Sequence, residues 1–475
     1  MKKKLLSYVL ASAMVLSLAG CGGSGSGTGT GSTGSSGSTG SSGSTVSTAP
    51  VTESGTLSYT TLNLDEYSDF TASIKFVHHK TDREEDGTMA SMIAEFNKEF
   101  PNITVTTEAV TDYAEDSLLR LNTGDWGDIM FIPAVDKSDL ATYFMPLDSL
   151  DNLSKELNFV SSWSYDGQCY GIPYMANAQG VLYNKKVFAD AGITQLPRTA
   201  SEFIAALKLI SEKTDAIPLY TNYAAGWTMG AWDAYVGVVS NGDDAYMNQK
   251  LVHTAEPFSD PGDGSGAYNV YKILYDACAQ GLIEDDYTTT DWEGCKGMLN
   301  RGEIGTMVLG SWAYAQMQEA GDTPENVGYM PFPITVNGTQ YVAAGGDYNY
   351  CINANASDDN KIAALIFVKW MVERSNWCYN EGGYTVVKGG ANPDMYSAFN
   401  GCEVMSDLDA LAGEEDYLNQ MNAESELSIN AGGNAKVQEI VEAGATGSKS
   451  FDDIMADWNS RWQNAQSELG INVLY

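Results

Sequence analysis

From about residue 71 to residue 470 the sequence alternates short apolar runs with amphipathic helical stretches, and this alternation restricts the fold more than any other feature. Residues 74–78 and 128–132 have the length and apolar content of buried strands. Residues 89–100 place apolar side chains at three- and four-residue spacing and end at Pro101, as a helix does. Strands that alternate with helices predict an α/β fold with mainly parallel, helix-covered sheets.

Further elements follow the same pattern. Thr199 and Glu202 form a capping box at the start of a second strong helix. Runs at residues 217–220, 304–309 and 348–352 predict more strands, and residues 361–372 predict a helix buried nearly all round. One stripe of a long amphipathic helix near the end consists of Phe451, Ile454, Trp458, Trp462 and Leu469.

Residues 1–21 have the layout of an export signal. Lys2, Lys3 and Lys4 precede an apolar stretch that is short for a membrane span, and the segment ends Leu-Ala-Gly-Cys. These last residues resemble the lipobox of bacterial lipoproteins, in which the signal is cut before the cysteine and its thiol carries the lipid. A plain secretory signal is the alternative. We expect Cys21 to be the lipid attachment site and the membrane to be contacted through this anchor only.

The segment after Cys21 has almost nothing to bury. Residues 22–48 are nearly all Gly, Ser and Thr, which predicts a flexible coil with a reach of roughly 30 Å. Residues 49–70 remain polar, so we expect the tether to extend over residues 22–70, with residues 56–59 close to the folded body.

The remaining 400 or so residues suffice for two domains. Their composition restricts the classes of molecule that they could bind. The chain has 26 basic and 62 acidic residues, a formal net charge of −36, which argues against nucleic-acid binding because phosphate contacts need basic patches. Six cysteines follow Cys21, with no C-x-x-C spacing, so a zinc site has little support. Cys278 with Cys295 is one conceivable pair, and free thiols are as plausible.

Sequence motifs for catalysis or cofactor binding are missing. The chain lacks H-E-x-x-H, G-x-x-x-x-G-K-[ST] and a kinase set, and we expect no cofactor, no metal and no catalytic residue. Residues 260–264 hint at a calcium loop but lack its ligand spacing, so a solvated turn is favoured. His78 and His79 are adjacent on a strand and point to opposite faces, which argues against a shared metal. With 62 acidic residues, many carboxylates lie close together, so their number alone does not rule out a glycosidase-type acid and nucleophile.

Several segments, taken in order, resemble one known family. Residues 92–103 (MIAEFNKEFPNI), 124–129 (GDWGDI), 170–174 (YGIPY) with 181–185 (VLYNK), 310–313 (GSWA), 328–333 (GYMPFP), 345–347 (GGD) and 364–371 (ALIFVKWM) are similar to segments of the sugar-type extracellular solute-binding proteins (family 1) of bacterial ABC transporters. Gly127 stands where a proline is common in that family. The resemblance covers about residues 71–470.

The resemblance implies a two-lobed fold of the periplasmic-binding-protein type, with a hinge of three crossovers near residues 178–181, 309–312 and 346–348. It divides the chain into an N-terminal lobe of residues 71–179 plus 312–346 and a C-terminal lobe of residues 180–310 plus 347–475. A ligand would lie in the cleft between the lobes, at the carboxyl ends of the parallel strands, where hinge bending closes both lobes on it.

The same resemblance implies a function. We expect a lipid-anchored, monomeric receptor on the outer face of the cytoplasmic membrane of a Gram-positive-type cell. It would capture a carbohydrate, an oligosaccharide in our interpretation, and deliver it to the permease subunits of an ABC importer without catalysis.

Sugar rings stack on aromatic side chains through their apolar faces, while their hydroxyl groups need directional polar partners. Trp312 and Tyr348 lie at expected crossovers, and Trp227 and Trp232 follow a predicted strand end; Trp126, Tyr174 and Tyr384 are further aromatic candidates. For each of them ordinary packing is the alternative. The polar candidates are His79, Asp82, Asn177, Gln179 and Asp347. Asp82 fits a solvated charged loop as well, and Asp347 fits a turn.

Two other functions remain open at this stage. A surface-anchored glycan hydrolase would need two carboxylates about 5–5.5 Å or 6.5–9.5 Å apart across the cleft. A solute-binding protein for a peptide or a metal would need a charged clamp or a cluster of His, Asp and Glu, and the sequence displays neither.

Overall fold

The computed structural model describes residues 51–52, 55–111, 113–431 and 434–475. The signal, Cys21 and the Gly/Ser/Thr run at residues 22–48 lie outside the described residues. All described residues belong to a single compact unit. The strands in chain order are β1 (Val51–Thr52), β2 (Gly55–Thr56), β3 (Ala72–His78), β4 (Ile103–Ala109), β5 (Ile129–Phe131), β6 (Asp148–Ser149), β7 (Ser164–Tyr165), β8 (Gln168–Cys169), β9 (Ile172–Pro173), β10 (Ala176–Asn184), β11 (Ile217–Leu219), β12 (Ile304–Gly310), β13 (Val327–Pro331), β14 (Tyr341–Gly346), β15 (Asn349–Ile352) and β16 (Glu403–Met405).

The α-helices in chain order are α1 (Thr81–Glu85), α2 (Thr88–Glu99), α3 (Tyr113–Thr123), α4 (Leu140–Tyr143), α5 (Leu150–Glu156), α6 (Lys185–Ala191), α7 (Ala200–Lys213), α8 (Trp227–Gly230), α9 (Val238–Asn241), α10 (Gly266–Ala279), α11 (Trp292–Arg301), α12 (Ala313–Glu319), α13 (Asp358–Glu373), α14 (Trp377–Asn380), α15 (Tyr417–Ser425), α16 (Ala435–Thr446) and α17 (Phe451–Leu469). Strands and helices alternate along the chain, so the α/β prediction is confirmed.

The first lobe is built on a sheet of order β4-β3-β5-β15-β9. Strand β3 runs parallel to β4 and β5, whereas β15 runs antiparallel to β5 and β9. Helices α2 and α13 cover the sheet, because the rings of Phe76 on β3 and Phe96 on α2 both contact Phe367 of α13, at 5.9 and 5.1 Å. The predicted all-round burial of α13 is confirmed.

The second lobe is built on a sheet of order β11-β12-β10-β14-β16, and β13 also pairs with β10. The pairs β11–β12 and β14–β16 are parallel, while β10 runs antiparallel to its partners. Helices α10 and α17 meet in the core, where Trp458 contacts Tyr271 edge to face at 5.1 Å. The capping box of Thr199 and Glu202 begins α7 as predicted.

The division between the lobes differs from the expected one at two segments. Residues 312–346 were expected in the first lobe, but β13 and β14 pair with β10, and Met317 of α12 lies in the core of the second lobe. The expected C-terminal lobe, 180–310 plus 347–475, includes β15 and α13, which belong to the first lobe. The reason is burial: β14 places Val342 in one core, and α13 places Phe367 in the other.

The crossovers follow from these pairings. The chain enters the second lobe between β9 and β10, returns between β14 and β15, and passes over again after Val387, since Val387 packs on the first core and Met395 on the second. The expected crossover at residues 309–312 does not cross, because the Ser311 amide donates to the carbonyl of Ala178 at 2.9 Å within the second lobe.

Residues 57–70 are part of the first lobe rather than the tether. Leu57, Tyr59, Leu62 and Leu64 are buried in its core. The Lys369 ammonium donates to the Tyr59 carbonyl at 2.8 Å and lies 4.7 Å from the centre of the Tyr59 ring. The expectation of a tether over residues 22–70 is therefore wrong for this stretch, because four apolar residues spaced through a polar segment suffice to dock it.

The six described cysteines are free thiols, so Cys278 and Cys295 do not form a disulfide. Burial raises the pKa of the Cys295 thiol to about 12, which makes it unreactive at neutral pH. Within the described ranges, every helix is too short or too polar to cross a membrane.

Candidate functional site

The parallel strands of the first lobe end at an aromatic cluster. His79 follows β3 directly, and its ring contacts Tyr348, Phe131, Tyr113 and Tyr174 at centroid distances of 4.2, 5.3, 5.8 and 6.2 Å. The His79 Nδ1 atom is buried and has no hydrogen-bond partner. Burial, with smaller contributions from Lys80 and His78, lowers the pKa of His79 to about 3, so the ring is neutral at physiological pH. A neutral imidazole with an unsatisfied nitrogen is available to a polar ligand group.

The crossover segments hold this cluster in place. The Tyr174 hydroxyl donates to Oδ2 of Asp347 at 3.1 Å, and the Asp347 amide donates to the Met175 carbonyl at 2.9 Å. Burial raises the pKa of Tyr174 well above its ordinary value, and the neighbouring Asp347 carboxylate adds to this. Asp347 is therefore half-buried at the hinge with one oxygen engaged by Tyr174.

Three tryptophans form a second cluster on the second lobe. Trp312 follows β12, Trp227 begins α8 after β11, and Trp292 begins α11. Trp227 lies 5.0 Å from Trp292 and 5.7 Å from Trp312, and Trp292 lies 5.9 Å from Trp312. Trp227 is 43% exposed, and the Lys296 ammonium sits 4.8 Å from the centre of the Trp292 ring. Because β11 and β12 are parallel, their carboxyl ends bring these rings to one edge of the sheet.

The segment from Tyr174 to Gln179, which enters β10, connects the two clusters. Tyr174 and Asn177 are three residues apart, which is at most about 11 Å of chain. Near Asn177, the Ser311 hydroxyl donates to the Asn177 Oδ1 atom at 3.5 Å. A Cβ on Gly310 would lie 2.7 Å from Trp312 Nε1 and 3.3 Å from Gln179 Oε1, so the missing side chain of Gly310 lets both groups approach the strand.

A cavity of about 280 Å³ lies between the lobes beside β10. Phe159, Ser161 and Ser162 line it from the first lobe. The second lobe contributes Gln179, Ala234, Ala343, Ala344, Gly345, Gly346, Ser406, Asp407, Asp409 and Asn430. Burial raises the pKa of Asp407 to about 6, with a smaller contribution from Asp244, and the Val238 amide opposes the shift. A larger hollow of about 500 Å³ beside Tyr268 and Asn459 belongs to the second lobe alone.

Two ion pairs join the lobes at the cleft. Arg83 of α1 lies 3.6 Å from Glu319 of α12, and Lys137 lies 3.3 Å from Asp409. Arg83 also pairs with Glu381 at 2.9 Å in its own lobe. The cross-lobe pairs have exposed acidic partners and contribute little to stability, typically about 0–1 kcal/mol each.

Three sequence-predicted residues belong neither to the two aromatic clusters nor to the lining of the inter-lobe cavity. Trp126 is 2% exposed and packs on Phe144, and Trp232 is 2% exposed and packs on Phe332. Both indoles are part of a hydrophobic core, Trp126 in the loop before β5 and Trp232 in the segment after β11. Asp82 is exposed on α1, 3.8 Å from the Arg83 guanidinium.

Tyr384 pairs through its backbone with Ala176, and its ring packs on Tyr396 at 5.2 Å. It thus has a packing role just before the third crossover, which follows Val387.

Sequence reasoning missed Trp292, Asp407 and Asn430. Trp292 follows Asp291, whose side chain caps α11, and an aromatic at the start of a capped helix was the available signal. Asp407 follows β16, a strand too short to predict. In the described part of the chain, His, Cys, Asp and Glu do not form a group of three or more that could hold a metal ion.

Comparisons with known proteins agree with this geometry. The family model described as "Bacterial extracellular solute-binding protein" matches residues 80–376. A multiple sugar-binding protein of Streptococcus mutans is 24% identical over 311 residues, which are 63% of this chain and 70% of that protein. The diacetylchitobiose binding protein DasA of Streptomyces coelicolor is 30% identical over 181 residues, 38% of this chain and 40% of that protein.

Two solved structures from Bifidobacterium animalis subsp. lactis are more similar. The ABC-transporter binding protein BlMnBP1 in complex with mannobiose is 45% identical, with 87% of this chain and 99% of that chain covered at a TM-score of 0.75. The manno-oligosaccharide specific solute binding protein BlMnBP2 in complex with mannotriose has the same identity, coverage and TM-score.

Proposed function

The chain belongs to the bacterial extracellular solute-binding proteins, and from this premise we propose that it captures a short manno-oligosaccharide between its lobes and delivers it to the permease of an ABC transporter. The protein acts as a carrier and leaves the glycosidic bonds of its ligand intact. The mannose part of the proposal rests on 45% identity to proteins whose structures hold mannobiose and mannotriose.

The cluster of Trp227, Trp292 and Trp312 is the observation that carries the proposal within this chain. An indole that is 43% exposed and flanked by two others presents a broad apolar face to solvent. The C–H faces of a pyranose ring are complementary to such a face. We propose that Trp227 and Trp312 stack on the sugar and that Trp292, covered by Lys296, supports them.

Polar groups for the hydroxyls lie along the crossover strand β10 and at the carboxyl end of β3. We propose that His79 Nδ1 accepts or donates one hydrogen bond, according to its tautomer, and that Asn177, Gln179 and Asp347 bind further hydroxyls. Tyr348 packs its ring against that of His79, with centroids 4.2 Å apart. Such a combination of aromatic surface and a few convergent polar groups is typical of small-molecule sites.

The cellular setting is part of the proposal. Lipidation of Cys21 would hold the receptor at the outer face of the cytoplasmic membrane of a Gram-positive-type cell, and the Gly/Ser/Thr run would act as its tether. We propose that the protein is a monomer there, since a single inter-lobe cleft needs no second copy.

Calorimetric titration of the chain from residue 22 tests the function. Mannobiose, mannotriose, maltotriose, a tripeptide and a free amino acid are the ligands, and each mixture is analysed afterwards for newly formed reducing ends. The proposal expects one saccharide bound per chain with no new reducing ends. Binding of the peptide alone, or release of reducing ends, contradicts it, and the second result would favour a glycan hydrolase.

A further inference from the structure

We propose that Asn430 recognises the ligand in the inter-lobe cavity and that the buried pair of Asp233 and Lys436 are positioning residues for it. The inference deepens the proposed function and rests on it. It assigns a recognition role to a loop that none of the sequence patterns singled out.

The loop that carries Asn430 has an unfavourable backbone. Glu426, Ser428 and Asn430 have φ values of 56°, 49° and 52°, in the left-handed region that residues with a Cβ seldom occupy. Three such residues at alternate positions need a surrounding structure that holds them. Phe159, on the opposite wall of the same cavity, has φ 62°. Strained backbone of this kind is concentrated at binding and catalytic sites.

A fully buried carboxylate fixes the end of the loop. Asp233 Oδ2 accepts from the Asn430 amide at 2.9 Å and from the Lys436 ammonium at 2.6 Å, and its Oδ1 accepts from the Tyr271 hydroxyl at 2.7 Å. Asn422 holds the preceding residue, since its side chain bonds both the amide and the carbonyl of Ile429, at 2.7 and 2.8 Å. The backbone at residues 429 and 430 is thereby held by two independent side chains.

The ion pair has a purpose beyond stability. The side chains of Lys436 and Asp233 are 4% and 0% exposed, so both charges lose their hydration. A pair buried to this extent is often no more stabilising than apolar residues of the same volume. Positioning of the 426–430 loop is a function that apolar residues would not supply, because they cannot bond the Asn430 amide.

Asn430 itself lines the cavity and is an exposed residue. A carboxamide offers two donors and an acceptor, which suits the hydroxyls of a sugar. Its neighbours in the lining include Ser162 of the first lobe and Gln179 and Asp407 of the second lobe, so both walls of the cavity carry groups that can bond hydroxyls.

The variant Asn430→Gly separates recognition from folding. Glycine adopts positive φ without strain, so the melting temperature should stay the same or rise. Loss of one hydrogen bond to the ligand should weaken mannotriose binding about tenfold in calorimetry. Asn337→Gly is the matched control, because Asn337 has φ 51° in an exposed turn of the same lobe, outside the cavity lining. It should leave the affinity unchanged.

The positioning role is tested with the double variant Asp233→Leu/Lys436→Met, which replaces both charges together. Its affinity should fall about as much as that of Asn430→Gly, and adding Asn430→Gly to it should cause no further loss, because the side chain already lacks its fixed position. Additive losses in the triple variant would overturn the positioning role. If the double variant does not fold, Tyr271→Phe replaces it, because this change removes one hydrogen-bond partner of Asp233. Its loss of affinity should be smaller, and adding Asn430→Gly should again give less than the sum of the two separate losses.

The outcomes for the parent protein distinguish the two proposals. A parent that binds none of the saccharides overturns the proposed function and this inference with it. A parent that binds mannotriose while Asn430→Gly binds within twofold of it overturns only the role of Asn430.

Discussion

The imidazole ring of His79 lies against the phenol ring of Tyr348, with centroids 4.2 Å apart and planes inclined by 31°. His79 comes from the carboxyl end of β3 and Tyr348 from the crossover between β14 and β15, so the contact couples the wall of the first lobe to the hinge. A hinge movement that displaces Tyr348 would therefore alter the surroundings of the buried His79 nitrogen.

The variant His79→Phe tests the unpaired nitrogen. Phenylalanine keeps an aromatic ring against Tyr348 and removes a buried polar atom that has no partner, so the folded protein should be no less stable. Affinity for mannotriose should fall by about 1.5 kcal/mol, roughly tenfold, if the nitrogen bonds the ligand. Calorimetry at pH 7 measures it, and an unchanged affinity would remove His79 from the site.

The same variant should change how stability depends on pH. The pKa of His79 is about 3 in the folded chain, below the value of about 6.5 expected when unfolded. As the pH falls, His79 is therefore protonated in the unfolded state before it is protonated in the folded state. The contribution of the neutral ring to the free energy of unfolding is complete above pH 6.5 and is lost as the pH falls toward 3. Between pH 6.5 and 5 this loss is ~2 kcal/mol, at about 1.4 kcal/mol per pH unit.

Urea unfolding at pH 7 and pH 5 provides the measurement for this second prediction. The parent should lose more stability than His79→Phe over this interval. Asp407 acts in the opposite direction, since its pKa is raised to about 6, and the difference between parent and variant cancels its contribution. Equal pH dependence in both proteins would contradict a buried neutral His79.

Removal of the exposed indole should affect binding far more than folding. Trp227→Ala should weaken mannotriose binding by about 2 kcal/mol, roughly 30-fold, because a stacked ring loses its partner. The unfolding free energy should shift by only about 0.5 kcal/mol, as for other exposed side chains. Tyr165→Ala is the control, since Tyr165 is 47% exposed on the β7–β8 hairpin, and it should bind normally. Equal affinities of both variants would exclude Trp227 from the site.

Asp407 should make binding dependent on pH. Its carboxylate lines the inter-lobe cavity, and a Cβ on Gly237 would approach its Oδ1 to 2.5 Å, so the group is closely packed. With a pKa of about 6, the ionised acceptor falls to roughly a tenth of the population at pH 5. Mannotriose affinity should drop about tenfold from pH 7 to pH 5. Asp407→Asn should show a flat profile; a slope that persists in this variant assigns the effect to another group.

The sequence supported the α/β class and the position of most long elements, because periodicity reports local structure well. The lobe boundaries were harder to predict from the sequence, because the pairing of β14 with β10 rather than with the first sheet depends on contacts between residues distant in sequence. Trp227, predicted from a strand end, and Trp312, predicted from an expected crossover, do meet. Trp232 follows the same strand as Trp227 but turns inward, and Trp126, in the loop before β5, is buried as well. Position after a strand fixes the backbone, and side-chain direction depends on packing that no single segment contains. Asn430 lies in an irregular loop, where periodicity carries no information.

Calorimetric titration of the chain from residue 22 with mannotriose measures whether the cleft holds a manno-oligosaccharide. We expect one binding site per chain, a negative heat-capacity change from burial of the sugar against the tryptophans, and no cleavage of the ligand. Absence of binding at millimolar mannotriose, with the protein folded by circular dichroism, would contradict the proposal that this cleft holds a manno-oligosaccharide.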